Sequence, residues 1–296
     1  MSVVSWKSIE ADADFARTPR TTAVERVRVL KVTPAGSEFA PDCVVVEEPL
    51  TIHLHSSGVD VALGSTMRTP GHDLDLAIGL AVAEGVVRDL RDVAQVRQCR
   101  PGGHGSPNDV VIDLGDDVFV DPSRLARVSH PSSACGMCGR DEIDDLMTRV
   151  PVSPDGVSID AATLAGLPDA MTRLQSVFRR TGGLHAAALA NTYGDILITR
   201  EDVGRHNAVD KVIGRALLDG VRADVLVVSG RAGFEIVQKA AMAGISILAS
   251  VSAPTSLSVD AAKEAGITLA AFVRGSTMTV YSGAHRLVGL GASTSW

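Results

Sequence analysis

The chain has 296 residues, 45% apolar but only 3% aromatic, enough for one large or two ordinary domains with a core of Ala, Val, Leu and Ile. Lys and Arg number 28 against 35 Asp and Glu, a formal charge of −7, which excludes the basic surplus of a nucleic-acid footprint. There is no secretory leader and no membrane-length apolar run, and 4 cysteines are too few for a disulfide framework, so a cytoplasmic protein without a membrane partner is expected.

Residues 1–23 are polar and without periodicity, and a loose arm is expected there. From Val24 the pattern turns to short strands: Val27–Val32, Cys43–Glu47, the cleanly alternating Leu50–His55, then Val59–Leu63 and Thr66–Arg68 after a turn at Ser56–Gly58. Pro70–Gly71 closes this run. His72–Val86 reads as a helix with Leu74, Ala77, Ile78 and Ala81 on one face and Asp73 as its cap. Val93–Cys99 and Val110–Leu114 are two further strands, separated by a Gly/Pro/Asn loop at Pro101–Asn108. These features define a strand-rich α+β domain over 24–130.

Residues 131–156 hold a cysteine loop and a linking helix. Cys135-Gly136-Met137-Cys138 places two thiols on a glycine-interleaved loop. Ile143, Leu146, Met147 and Val150 then follow the spacing of one helix face. A thiol before a helix has its pKa lowered by the unpaired N–H groups and the dipole, although Asp141, Glu142, Asp144 and Asp145 oppose this. Four readings stay open for the pair: buried structural cysteines, half of a zinc site, a dithiol redox site, or persulfide sulfur transfer. Zinc lacks a second ligand pair, since Cys43 and Cys99 are lone and distant.

The second domain, 157–296, alternates strands and helices. Met171, Leu174, Val177 and Phe178 mark a helix ended by Gly182-Gly183; Leu184–Leu189 and Ile196–Thr199 read as a hairpin. A stripe from Ala208 to Leu217 is a helix closed by Gly220. Val225–Val228, Ile245–Val251 and Ile267–Val273 are strands, with helices at Phe234–Ala243 and Leu257–Ala265 between them and Thr277–Tyr281 as a last hairpin partner. Such alternation builds a largely parallel sheet covered on both faces. Ligands then bind beyond the C-terminal strand ends. That rule selects Ser229–Gly233, Ser252–Thr255 and Arg274–Ser276, where Arg231 and Arg274 suit phosphate and the expected ligand is nucleotide-like and anionic.

Glu201–Lys211 is dense in chemical groups. His206 is a candidate acid, base or ligand contact. Asp202 reads equally well as a helix cap, and Arg205 and Lys211 as a solvated face. His185 invites comparison with the His-x-Glu of zinc deaminases, but position 187 is Ala and the proton shuttle is missing.

Together these segments resemble the formate dehydrogenase accessory sulfurtransferase family, FdhD. The carriers are Glu48–Ile52, Met67–Gly71, Ala77–Leu80 with Glu84-Gly85, Cys135–Gly139, Thr181–His185, Glu201–Lys211 and Ser229–Arg231, in this order, within a span from about Val24 to Arg286. The resemblance implies an α/β fold, with a cytidine-deaminase-like three-layer α/β/α C-terminal domain beside the strand-rich N-terminal domain and no metal. It implies a cytoplasmic sulfurtransferase that takes persulfide sulfur from a cysteine desulfurase. The sulfur goes to the molybdenum cofactor, bis(molybdopterin guanine dinucleotide), for formate dehydrogenase. Homodimers are expected. The family's persulfide cysteine falls on Cys135, with Cys138 assisting. Its cofactor-binding stretch falls on Phe272, Val273, Arg274, Gly275, Ser276 and Thr277, to which Arg231 of the first selected turn and His206 as a candidate ligand contact are added, and GDP-like guanine nucleotides are expected to occupy it. The rival readings are a non-catalytic cofactor carrier and a zinc-dependent deaminase.

Overall fold

The structure, a computed structural model, describes residues 20–56, 58–99, 106–120, 151–153 and 156–290. Residues 1–19 of the expected arm lie outside them, as do 121–150, which hold the cysteine pair and the linking helix read from Ile143 to Val150.

Strands β1 (Val24–Thr33) and β2 (Gly36–Val45) pair antiparallel as a two-stranded ribbon. β3 (Glu48–Ser56), β4 (Val59–Arg68), β5 (Val93–Gln98) and β6 (Asp109–Leu114) form a second sheet in the order β4-β3-β6-β5, with β3 and β6 parallel. The alternation of β3 buries Leu50, Ile52 and Leu54 on one side, as its period predicts. The two runs predicted at 59–63 and 66–68 are one strand. A register shift opposite Ile52 and His53 gives β4 one extra residue, and Leu63 there is fully buried.

Helix α1 (Asp73–Ala83) departs from its expected cap. His72, with φ 59°, is the N-cap and makes no side-chain cap bond; Asp73 lies in the first turn and serves Arg68 instead. The helix is buried on nearly all sides rather than on one stripe, because it lies between the N-terminal sheet and a second helix.

The C-terminal half begins with β7 (Ile159–Asp160), α2 (Ala161–Leu174) and α3 (Phe178–Thr181). This corrects the helix read through Met171, Leu174, Val177 and Phe178. Asp160 accepts from Thr163 N (2.9 Å) and starts the helix ten residues before Met171, and the helix ends at Gln175, so the apparent stripe joins two elements. There follow β8 (His185–Ala190), β9 (Ile196–Asp202), α4 (Arg205–Asp219), β10 (Val225–Val228), α5 (Phe234–Met242), β11 (Ile247–Ser250), α6 (Ser256–Glu264), β12 (Thr268–Arg274), β13 (Thr277–Ser282) and β14 (Leu287–Val288), which pairs with β7.

Six of these strands form one sheet in the order β13-β12-β11-β10-β8-β9. β10, β11 and β12 are parallel, as predicted, and β8 runs against β10. Alternate residues feed two cores. Leu226, Val228, Leu248 and Leu269 pack with α4, α5 and α6, while Val225, Val227, Ile247 and Ala249 pack with Leu164, Leu167 and Met171 of α2. The first core continues without a break through α1 into Leu50, Ile52, Val110 and Ile112 of the N-terminal sheet.

The join between the halves is the crossing of α1 and α4. A Cβ on Gly79 would overlap the Asp210 carbonyl, and one on Gly214 would overlap the Asp75 carbonyl. Two glycines therefore let the helix backbones touch, which brings the charged first turns of both helices together.

Candidate functional site at the strand-end edge

Because β8 runs against its neighbours, its first residue, His185, lies at the same edge as the C-terminal ends of β9, β10, β11 and β12. Four connections leave this edge: Val203-Gly204 into α4, Ser229–Gly233 into α5, Val251–Thr255 into α6, and the β12–β13 hairpin. They are stitched to one another. The buried Ser250 hydroxyl donates to Gly230 O (2.8 Å) and accepts from Ser252 N (3.2 Å). Ala232 N donates to Ala253 O (3.2 Å), Phe272 N donates to Ser252 O (3.2 Å), and Ser229 Oγ accepts from Ala186 N (2.9 Å). The three turns selected from the sequence thus form one rim, and β9–α4 adds a fourth member.

The predicted site residues distribute along this rim. Val273 is fully buried; Arg274, Gly275, Ser276 and Thr277 are exposed, and Thr277 Oγ1 donates to Arg274 O (3.2 Å). Phe272 has φ 54°, a left-handed value that costs a bulky side chain energy, and its ring is 43% exposed at the rim. A bulge between Ala271 and Arg274 produces this turn-out. Arg231 is exposed on the β10 turn. His206 sits in the first turn of α4 with Nε2 2.6 Å from Glu235 Oε2 of α5, and one turn later Lys239 Nζ meets Asp210 Oδ1 at the same distance. These two contacts tie α4 to α5 below the rim. Cys135 and Cys138 lie outside the described residues.

The Glu201–Lys211 segment is built inward. Lys211, expected on a solvated face, is 1% exposed. Its Nζ lies 2.6 Å from Asp202 Oδ2 and donates to Thr69 O (2.9 Å). Asp202 also accepts from Thr69 N (3.1 Å), Gly204 N (2.8 Å) and Asn207 Nδ2 (3.0 Å). Asn207 reaches on to Met67 O (2.8 Å) and accepts from Thr66 Oγ1 (3.1 Å). The Met67–Gly71 and Glu201–Lys211 motifs, 130 residues apart in the chain, are therefore two sides of one buried polar knot. Arg68, bidentate to Asp73 at 2.9 Å on both bonds, closes its floor. Glu201 turns the other way and accepts from Val177 N (3.0 Å) and Phe178 N (2.7 Å), satisfying donors at the start of α3.

Two residues that the sequence does not assign to the site, His185 and Arg205, face the rim. Burial first, and then the Arg205 and His206 charges, hold the His185 imidazole below the usual histidine value, so it is neutral at pH 7. Arg205 is the first residue of α4. Its Cδ and the His185 Nδ1 each come within 3.4 Å of where a Cβ on Gly230 would stand. The only sequence signal for either was its place in a motif, because a one-dimensional pattern does not show which strand ends share an edge.

Comparison with known proteins agrees with this architecture. The FdhD/NarQ family matches residues 45–288. The chain belongs to the FdhD/NarQ family. It is 47% identical to the "Sulfur carrier protein FdhD" of Nocardia farcinica (strain IFM 10152) over 93% of this chain and 98% of that one. The same name is carried by a relative from Anaeromyxobacter dehalogenans (strain 2CP-1 / ATCC BAA-258), 48% identical over 83% and 88% of the two chains. A crystal structure of a candidate formate dehydrogenase accessory protein from Desulfotalea psychrophila shares the fold, with a TM-score of 0.70 at 23% identity over 90% of this chain and all of that one. The span matched to the FdhD/NarQ family holds the whole rim and both halves of the knot, whereas the β1–β2 ribbon lies almost entirely before it. No helix among the described residues is long and apolar enough to cross a membrane.

Proposed function

We propose that the chain is a sulfurtransferase that carries sulfur to the molybdenum cofactor of formate dehydrogenase. The observation that carries this reading is family membership over residues 45–288 by a chain holding a Cys-x-x-Cys pair at 135 and 138. The relatives' printed name, sulfur carrier, supports it. The Cys135 thiolate attacks the outer sulfur of a cysteine desulfurase persulfide. The donor S–S bond breaks, the desulfurase cysteine leaves as thiolate, and Cys135 holds the persulfide. Cys138 thiolate then attacks Cys135 Sγ, sulfide leaves to molybdenum, and a cellular dithiol reduces the Cys135–Cys138 disulfide that forms. The substrate, bis(molybdopterin guanine dinucleotide), is bound through its guanine nucleotide at the rim of Phe272–Thr277, with Arg231 and His206 beside it. Cationic side chains and small-residue turns at strand ends support that placement. The same reading includes a cytidine-deaminase-like C-terminal half, a homodimer and a cytoplasmic location.

A desulfurase supplied with sulfur-labelled cysteine tests this. Label is expected on the wild-type chain, none on Cys135→Ala, with GDP binding equal in both. Equal labelling of Cys135→Ala removes the persulfide role. No labelling of the wild type, with GDP still bound, makes the chain a non-catalytic carrier.

A further inference from the structure

We propose that Arg205 is the phosphate-binding residue of the rim and takes the diphosphate of the guanine nucleotide. This rests on the nucleotide reading above and names the residue that reads the phosphates.

The buried and half-buried cations around the α1–α4 junction have their own carboxylates. Arg68 has Asp73, Arg200 has Asp75, Lys211 has Asp202 and Lys239 has Asp210. Arg205 differs. Its Nε is shielded from solvent and has no hydrogen-bond partner, and its guanidinium makes no ion pair among the described residues. A shielded charged donor without an acceptor is costly to keep. The neighbouring carboxylates are already engaged: Asp202 by Lys211 and three N–H donors, Glu235 by His206, and Glu201 by the backbone of Val177 and Phe178. Among the described residues no carboxylate is therefore left over for Arg205, and a bound anion would supply the acceptor that its Nε lacks.

The surroundings select an anion with several oxygens. Arg205 opens α4, a helix of 15 residues whose N-cap, Gly204, supplies no side-chain cap, so the dipole favours negative charge at the same place. His185 beside it is neutral and offers a ring N–H rather than a competing charge. The missing side chain of Gly230 leaves room for Arg205 and His185 to pack side by side against the turn. The guanidinium fork matches two phosphate oxygens at once. Gly230 follows β10 and Phe272 lies in β12, two strand spacings away, or about 10 Å. That is comparable with the separation of base and diphosphate in an extended nucleotide, with the Phe272 ring available to the purine.

The test is calorimetric titration of the full chain and of Arg205→Gln and Arg205→Lys with GDP, guanosine and inorganic pyrophosphate. The wild type is expected to bind GDP at least tenfold more tightly than guanosine. Arg205→Gln should lose at least tenfold for GDP and for pyrophosphate and nothing for guanosine, and Arg205→Lys should recover part of the loss. Equal GDP affinity in wild type and Arg205→Gln overturns the assignment. Should Arg205→Gln not fold, equal binding of guanosine and GDP by the wild type overturns it without a variant. A wild type that binds pyrophosphate through Arg205 but neither guanosine nor GDP better than pyrophosphate keeps the anion site and removes the guanine reading; binding of none of the three removes both.

Discussion

Lys211 Nζ and Asp202 Oδ2 lie 2.6 Å apart with both side chains essentially sealed from water. The pair links the end of β9 to the second turn of α4, and through Thr69 it fastens both to the loop that starts α1.

Breaking that pair on one side should be severe. Lys211→Met leaves the Asp202 carboxylate buried without its countercharge, a loss of about 3–5 kcal/mol. Asp202→Asn combined with Lys211→Met should cost less than the sum of the two single changes, since no uncompensated charge then remains. Urea unfolding of the four chains measures the coupling, and additive losses would mean that the two groups do not act as a pair.

The α1–α4 crossing makes a second prediction, with an internal control. Gly79→Ala and Gly214→Ala place a Cβ against a backbone carbonyl and should each destabilise by about 1–3 kcal/mol or more through forced separation of the helices. Gly166→Ala, on an exposed position of α2 with nothing near its added Cβ, should instead stabilise by about 0.5–1 kcal/mol. Denaturation midpoints of the three variants should separate in sign.

Acid should weaken the fold through His185. The folded value is lowered, mainly by burial and then by Arg205 and His206, whereas the unfolded chain has the ordinary value near 6.5. Between the two the unfolded chain holds a proton that the folded chain does not, so stability rises with pH across that interval. The contribution is complete above 6.5 and is lost as pH falls through the folded value. In His185→Gln the stability curve just below pH 6.5 should be flatter than in wild type; an unchanged slope would place the proton uptake elsewhere, with His72, also lowered by burial, as the next position to examine.

Phe272 should trade stability against binding. Its left-handed φ costs about 1–2 kcal/mol that glycine avoids, and its exposed ring contributes little burial in return. Phe272→Gly is expected to gain up to about 1 kcal/mol, after the added flexibility of the unfolded chain is counted, and to bind GDP more weakly. Unchanged GDP affinity would show that the ring does not meet the purine.

Much of the architecture was legible in one dimension. Val225–Val228 announces a strand buried on both faces because four consecutive apolar residues suit nothing else between two helices, and Gly220, Gly244 and Gly266 end helices where the pattern stops. The Cys135–Cys138 pair, the order of the motifs and hence the family resemblance are also properties of the string alone. Gly166 and Pro168 interrupt the pattern of Ala161–Leu174 and hide the helix in one dimension, whereas tertiary packing of Leu164, Leu167 and Met171 overrides that weakness. Lys211 and Arg205 show the deeper limit. Six residues apart on one helix, both read as solvated charges, yet one is sealed against Asp202 while the other has no carboxylate partner among the described residues. Burial and partnering depend on which distant segments, Thr69 and Gly230 here, fold against each residue. Periodicity reports the face of a helix, and only the packed structure decides what meets it.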